Sequence, residues 1–503
     1  MTRPARLLIL ALLLLAPACA QQPKPSVTPS GPAGQVAGLP GLQADLQAAF
    51  KTPAFENAIW GVLVRSLKTD ETLYEQNPRT LLMPASNMKI VTVASAAQRF
   101  GWDRTFTTTV LTTGTIENGV LKGDIIVVGT GDPSFGGRPA PDTPVFESWV
   151  AQFKAKGINA VDGRIIGDDR AFEDQGLGAG WAWDFLSAGY ATPTSALNFD
   201  ENILQLRVTP GPAAGDFVSV EATPAGHALV IDSQAKTVPK DGPANIDIFR
   251  MAGNSTLTIT GSLPLGSAPI TRSVSVDNPA RNFVSVLRHT LSTRGIPVSG
   301  DAVDIRSLRE APSLTAAKPL LTYTSPSLAQ IGKTTLKVSQ NLYADTLLRA
   351  MGCTADALPC TTPAGIKAVQ QVLQGWGIAP DRFVMVDGSG LSRYNYVTPE
   401  VLVTILTRVQ GDERLKGPFL EALPVAGVDG TIGSRMRDTK AQGNAKAKTG
   451  SITAARALSG FVTTADGEPL VFSMIVNNFT APQAEADRVI DRAVVRLAEF
   501  HRR

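Results

Sequence analysis

Residues 81–101 read LLMPASNMKIVTVASAAQRFG. Pro84 suits the first turn of a helix, and the small and apolar residues after it continue one. On that helix Ser86 and Lys89 lie three residues apart, on one face and within side-chain reach. Ser86 also falls near the helix N-terminus, where backbone N–H groups stabilise developing negative charge. A serine hydroxyl becomes a nucleophile only beside a base, and a lysine serves if it is held neutral. Lowering a lysine pKa from about 10.4 to near 8 costs about 3 kcal/mol, within reach of burial plus a second cation.

The rest of the chain leaves lysine as the base. Its three histidines, His227, His289 and His501, are scattered, with no carboxylate at metal-site spacing. They exclude an H-E-x-x-H zinc site and leave little for a Ser-His-Asp triad. An S-x-x-K string alone is weak, and the chain holds a second, Ser233 to Lys236. That one sits between strand-like segments, where no helix would align the pair.

Two further triplets follow Ser86 in order, Ser339-Gln340-Asn341 and Lys448-Thr449-Gly450. Together they give the S-x-x-K, S-x-N, K-T-G succession of the serine penicillin-recognising enzymes. Each residue has a task in that chemistry. Ser339 can relay a proton to a leaving amine, and Asn341 can hold Lys89 and a substrate amide. Lys448 supplies the second cation that would depress Lys89 and attract a carboxylate, to which Thr449 adds a hydroxyl. Gly450 would clear the way for a substrate backbone. The backbone N–H groups of Ser86 and Ser451 would form an oxyanion hole. Gly332-Lys333-Thr334 resembles the end of a phosphate-binding loop, but position 327 is Ser where that motif needs Gly, and 327–337 reads as helix.

Outward from these motifs, the 503 residues allow roughly three domains. A net charge of +3 with no basic block gives no footprint for nucleic acid. Residues 1–20, MTRPARLLILALLLLAPACA, have the basic, apolar and small-residue regions of a secretory signal. Cleavage after Ala20 fits an A-x-A site; cleavage before Cys19 would leave a cysteine for lipidation and the only route to a membrane. Residues 21–40 read as a Pro/Gly-rich linker. Cys353 and Cys360 bound a short loop, GCTADALPC, that an oxidising compartment would let close as a disulfide; two free thiols are the alternative.

Residues from about 104 to 276 are short Thr/Val-rich runs divided by Gly, Asn and Pro, the spacing of β-rich modules. Helical signals resume at Asn278-Pro279, and the chain ends β then α over 455–500. The organisation expected is one α/β catalytic domain built from 41–105 and 300–503, with 106–299 inserted as two smaller β-rich domains.

These motifs and the stretches around them resemble the low-molecular-mass class C penicillin-binding proteins, the D-alanyl-D-alanine carboxypeptidase/endopeptidases. The blocks that carry the resemblance include SPSLAQIGKTTLKVSQNLYADTLLRAMG, VDGSGLSRYNYVTP, KAKTGSITAARALSGFV and GWAWDFLSAGYATPTSALNFDEN. It implies a β-lactamase/transpeptidase-like α/β fold, an antiparallel sheet flanked by helices, with two inserted domains between S-x-x-K and S-x-N. It implies an exported serine peptidase, periplasmic or in the cell envelope, that hydrolyses D-Ala–D-Ala or D-Ala–diamino-acid bonds of peptidoglycan stem peptides. Acylation by penicillins is implied too, with no cofactor and no metal. By the same resemblance Arg393, Asp168 and Phe172 match positions that contact the third residue of the stem peptide. Thr453 stands where some members carry glutamine, which leaves the third-residue preference open. A β-lactamase and a catalytically idle penicillin-fold binding module are the competing readings.

Overall fold

A computed structural model describes residues 38–138, 145–353 and 358–502. The expected signal sequence, most of the linker and Cys19 lie outside the described residues. The chain enters the fold on a helix, Gly38–Phe50, three residues before the expected start at 41.

The sheet that positions the site has five antiparallel strands. Their order is Thr72–Gln76, Ile59–Ser66, Pro469–Asn477, Ala455–Thr463 and Lys446–Ile452, so strands from the two ends of the chain lie side by side. Ile59–Ser66 is buried along nearly its whole length because helices cover both faces. Alternate residues point to opposite faces. Val62 and Val64 meet Leu42, Leu46, Val489 and Leu497, from helices Gly38–Phe50 and Gln483–Ala498. Leu63 meets the other core, which holds Val91 and Leu402 from helices Met88–Phe100 and Pro399–Gly411.

Between the first and second motifs lie two further large cores, besides a small cluster of Ile126, Ile166 and Ile305. One wraps the sheet ordered Ala302–Asp304, Ile165–Asp168, Ile125–Gly129, Thr107–Thr112 and Lys318–Thr324. The helices Val145–Ala155 and Pro279–Thr293 pack on it around Phe135, Trp149 and Phe283. The other lies between two small sheets spanning 203–275, around Leu204, Leu206, Leu257 and Ile259.

Two expectations need correction. The first of these units is α/β, with two helices packed on its sheet and supplying part of its aromatic core, whereas a β-rich one was expected. The chain also returns to the catalytic core later than residue 300. Ala302–Asp304 pairs with Ile165–Asp168, and Lys318–Thr324 pairs with Thr107–Thr112, so the crossing falls after Thr324. Cys353 and Cys360 are bonded, beyond the end of helix Asn341–Met351.

Candidate active site

The serine turn is pinned at its start by a buried amide side chain. Asn477, at the end of a central strand, takes the Met83 N–H at 2.7 Å and donates to the Met83 carbonyl at 3.1 Å, which fixes the chain before Pro84. Ala85 adopts a left-handed φ of 47°, and Ala85–Asn87 form a 3₁₀ turn that runs into helix Met88–Phe100. Ser86 thus sits in a tight turn just ahead of the α-helix. Asn87 does not cap that helix; its Nδ2 donates instead to the Lys448 carbonyl at 3.1 Å, tying the first motif to the third. Gly450 lines the cleft, but packing explains its missing side chain better than substrate approach does. A Cβ there would lie 2.3 Å from the Pro84 carbonyl oxygen.

Lys89 is fully buried, and its Nζ has three oxygens around it. They are Ser86 Oγ at 2.9 Å, Asn341 Oδ1 at 2.6 Å and the Ser389 carbonyl at 2.7 Å. The orientation of Asn341 is set, because its Nδ2 donates to the Tyr190 carbonyl at 2.7 Å. A neutral lysine amine has two hydrogens and one lone pair. Asn341 Oδ1 and Ser389 O can only accept, so the two hydrogens go to them. The lone pair is left facing Ser86, the one partner of the three that can donate. Burial lowers Lys89 to about 7, against the opposing pull of the Asp345 and Asp387 carboxylates.

Lys448 is fully buried as well, and its Nζ donates to Ser339 Oγ and the Thr449 carbonyl, each at 2.8 Å. Burial first, then the like charge of Lys89, push it well below the ordinary lysine range. Burial is the leading cause for both lysines, and the repulsion between two ammonium groups placed this way is mutual, so a charge on either one disfavours a charge on the other. Ser339 is held at a left-handed φ of 62°, at the turn into the helix that carries Asn341.

The three motifs line one cleft of about 490 Å³. Ser86, Ser339 and Asn341 face Thr449 and Ser451 across it, and Thr449 Oγ1 donates to Thr431 Oγ1 at 2.8 Å. Lys446–Ile452 is the outermost strand of its sheet; its start is bridged to 424–426, and beyond Ala447 alternate backbone groups have no neighbouring strand. Arg393 stands exposed at the rim, with its guanidinium on the Thr453 carbonyl at 2.8 Å.

Two expected contacts do not reach the cleft. Phe172 is fully buried in the core with Ala196, Met351 and Cys360, because an aromatic ring loses more by facing water than it gains at a polar rim. Asp168 is buried and paired with Arg170 at 2.7 Å, two residues on. The sequence reading missed Tyr190, Phe185, Thr431, Arg435 and Arg456, which line the same cleft. Tyr190 and Phe185 lie in the quoted block 180–202, which was the one signal available for them. Asp345 and Asp387 were also missed; both lie in matched blocks, 325–352 and 386–399, but outside the three motifs, and nothing local marks what their carboxylates hold.

The family described as D-Ala-D-Ala carboxypeptidase 3 (S13) matches residues 42–500. The chain belongs to this family. A D-alanyl-D-alanine carboxypeptidase of Actinomadura sp. (strain R39) is 34% identical over 477 residues, 92% of this chain and 86% of that protein. The crystal structure of penicillin binding protein 4 (dacB) from Haemophilus influenzae superposes with a TM-score of 0.78 at 26% identity, covering 91% of this chain and 99% of the other. A second structure under that name, complexed with a β-lactam, gives 0.73 at 26% identity with the same coverage. As an S13 member the chain is a low-molecular-mass class C penicillin-binding protein, a serine peptidase with D-Ala-D-Ala carboxypeptidase function. Its α/β fold class is that of its structural neighbours.

Proposed function

We propose that this carboxypeptidase works through an acyl-enzyme on Ser86, with Lys89 as the base. The observation that carries the reading is the three-oxygen cage of Lys89, which leaves its lone pair one proton donor to face. In the proposed sequence Ser86 Oγ attacks the carbonyl carbon of the penultimate D-Ala as its proton passes to Lys89. The tetrahedral oxyanion is held by the N–H groups of Ser86 and Ser451. Its collapse breaks the peptide bond, and the proton taken up by Lys89 passes by way of Ser339, which Lys448 holds, to the leaving amine, so that Lys89 is neutral again for the next step. Water then cleaves the ester and restores Ser86. Asn341 keeps Lys89 aligned and meets the substrate amide; Thr449 and Lys448 meet the substrate carboxylate, and Arg393 the third residue of the stem peptide.

The same reading covers export by residues 1–20 to the periplasm or cell envelope, lipidation at Cys19 being a variant of it. It places the catalytic core in 41–105 and the segment after Thr324. β-Lactams, which mimic the scissile amide, acylate Ser86 and leave slowly. Asp487, a carboxylate on the cleft wall, supports slow release. Arg435 and Arg456 both hold it, at 3.2 and 3.6 Å, which spends it on ion pairs rather than on activating water.

The activity splits into carboxypeptidase and endopeptidase action. Incubation with a stem pentapeptide and with a D-Ala–diamino-acid crosslinked dimer separates them, read as free D-Ala and as monomer. Release of D-Ala is expected, and monomer release would add endopeptidase action. Neither product from a folded protein would sink the reading.

The pH dependence has a definite sign. Only neutral Lys89 accepts a proton, and its pKa lies at about 7. Acylation should therefore rise with pH through that value and fall about tenfold per pH unit below it. A rate flat from pH 5 to 9 would mean that Lys89 is not the base.

A further inference from the structure

The middle residue of the second motif, Gln340, points away from the cleft and into the inserted unit. Its Nε2 donates to Glu201 Oε2 at 2.5 Å, while its Oε1 accepts the Leu342 N–H at 2.9 Å and caps the helix that begins at Asn341. Glu201 is almost fully buried, and Arg138 grips both of its oxygens, Nε to Oε1 at 2.6 Å and Nη2 to Oε2 at 2.5 Å. The Tyr343 hydroxyl closes the circuit by donating to the Arg138 carbonyl.

The turn that presents Glu201 is strained. Asp200, Glu201 and Asn202 are three successive non-glycine residues at φ of 47°, 56° and 57°. Left-handed residues of this kind cost about 1–3 kcal/mol each and persist only where their surroundings over-determine them. Here Asn202 does so. Its Nδ2 donates to the Pro193 carbonyl at 3.0 Å and to Asn198 Oδ1 at 2.7 Å, and its Oδ1 takes the Phe199 N–H at 3.1 Å. Across the junction Ser339, next to Gln340, is itself left-handed at 62°. A second tie from the inserted unit reaches the same motif, the Tyr190 carbonyl on Asn341.

We infer that Glu201 is a positioning residue for the reaction: through Gln340 it sets the turn that places Ser339 and Asn341 against Lys448 and Lys89. The inference rests on the proposed roles of those four residues. It assigns the inserted unit a part in catalysis through shape, since the carboxylate that meets Gln340 at this junction is already filled by one guanidinium.

Gln340→Glu separates this clamp from simple helix capping. Glutamate keeps the oxygen that caps the helix and adds negative charge at a helix N-terminus, which is favourable there. A residue that only capped would therefore tolerate the change or gain from it. The clamp would not, because two carboxylates would then share one arginine.

Benzylpenicillin acylation rates and melting temperatures of the wild type, Q340E, E201Q and the E201Q/Q340E pair decide the matter. Q340E should acylate about tenfold more slowly or worse. In the pair, the amide introduced at position 201 can donate to the carboxylate introduced at position 340, and the rate should return to within about threefold of wild type. Q340E acylating at the wild-type rate overturns the clamp, as does a pair no faster than Q340E. If Q340E fails to fold, the pair decides alone: folded and active supports the clamp, inactive overturns it. A wild type left unmodified by the drug would bring down the functional reading first, and this inference with it.

Discussion

Lys89→Met folds, and its acylation by benzylpenicillin falls about 10³-fold or more. Methionine fills the same fully buried slot with a similar, flexible chain. Two acceptors, the buried Ser389 carbonyl and the half-buried Asn341 Oδ1, lose their donor, at about 1–3 kcal/mol for the buried one. Removing a buried amine also removes the cost of desolvating it, about 1–3 kcal/mol, so the two effects offset in stability. They do not offset in chemistry. Ser86 loses the lone pair aimed at it, and a positioned base contributes about 10²–10⁴ in rate, to which the disturbed Asn341 adds. Circular dichroism with a melting curve establishes the fold, and a stopped acylation time course gives the rate. A K89M protein acylated within tenfold of wild type would show that another group takes the proton.

Gly390→Ala is expected to cost about 10²-fold in acylation and about 2–4 kcal/mol in stability. Its Cβ would lie 1.8 Å from the Ala85 carbonyl oxygen, and that neighbour is backbone, which cannot swing aside. The residue also sits at φ 81°, a conformation an L-residue adopts at a cost of about 1–2 kcal/mol. Either the serine turn or the 387–392 loop must give way. Asp345 Oδ1 holds that loop by the N–H groups of Gly388 and Ser389, at 2.7 and 3.0 Å, and the Ser389 carbonyl holds Lys89. A shift on either side therefore breaks the Ser86–Lys89 geometry. Gly467→Ala is the control, at φ 78° with nothing within 4 Å of a new Cβ. It carries the backbone strain alone and should leave acylation unchanged. Equal losses in both variants would mean that close packing on the serine turn is not what requires Gly390.

The residues that the sequence made readable were those whose chemistry is local. Ser86 and Lys89 need only one turn of chain between them, and the other two motifs add side chains with few alternative uses. Contacts spanning long separations were hidden. Nothing in the sequence near Asp345 says that its carboxylate will hold residues 388 and 389, and the same is true of Glu201 and Gln340. Matching a family block fixes where a residue falls in the chain but not where its side chain points. Asp168 and Phe172 show this, one neutralised by Arg170 and the other drawn into the core. The helix Val145–Ala155 was overlooked in a Thr/Val-rich region, although Val145, Phe146, Trp149, Val150 and Phe153 recur at helical spacing and are all buried. The boundary at 300 came too early because a short parallel strand after a helix, Ala302–Asp304, has no signature of its own.

The most direct test of the central claim is the intact mass of the wild-type protein after benzylpenicillin, followed by peptide mapping of the adduct. One penicilloyl group that persists for many minutes and maps to the peptide containing Ser86 is the expected result. An adduct on another residue, or an unmodified protein with the drug intact, would contradict Ser86 as the nucleophile. An unmodified protein with the drug hydrolysed would contradict slow release and point to a β-lactamase.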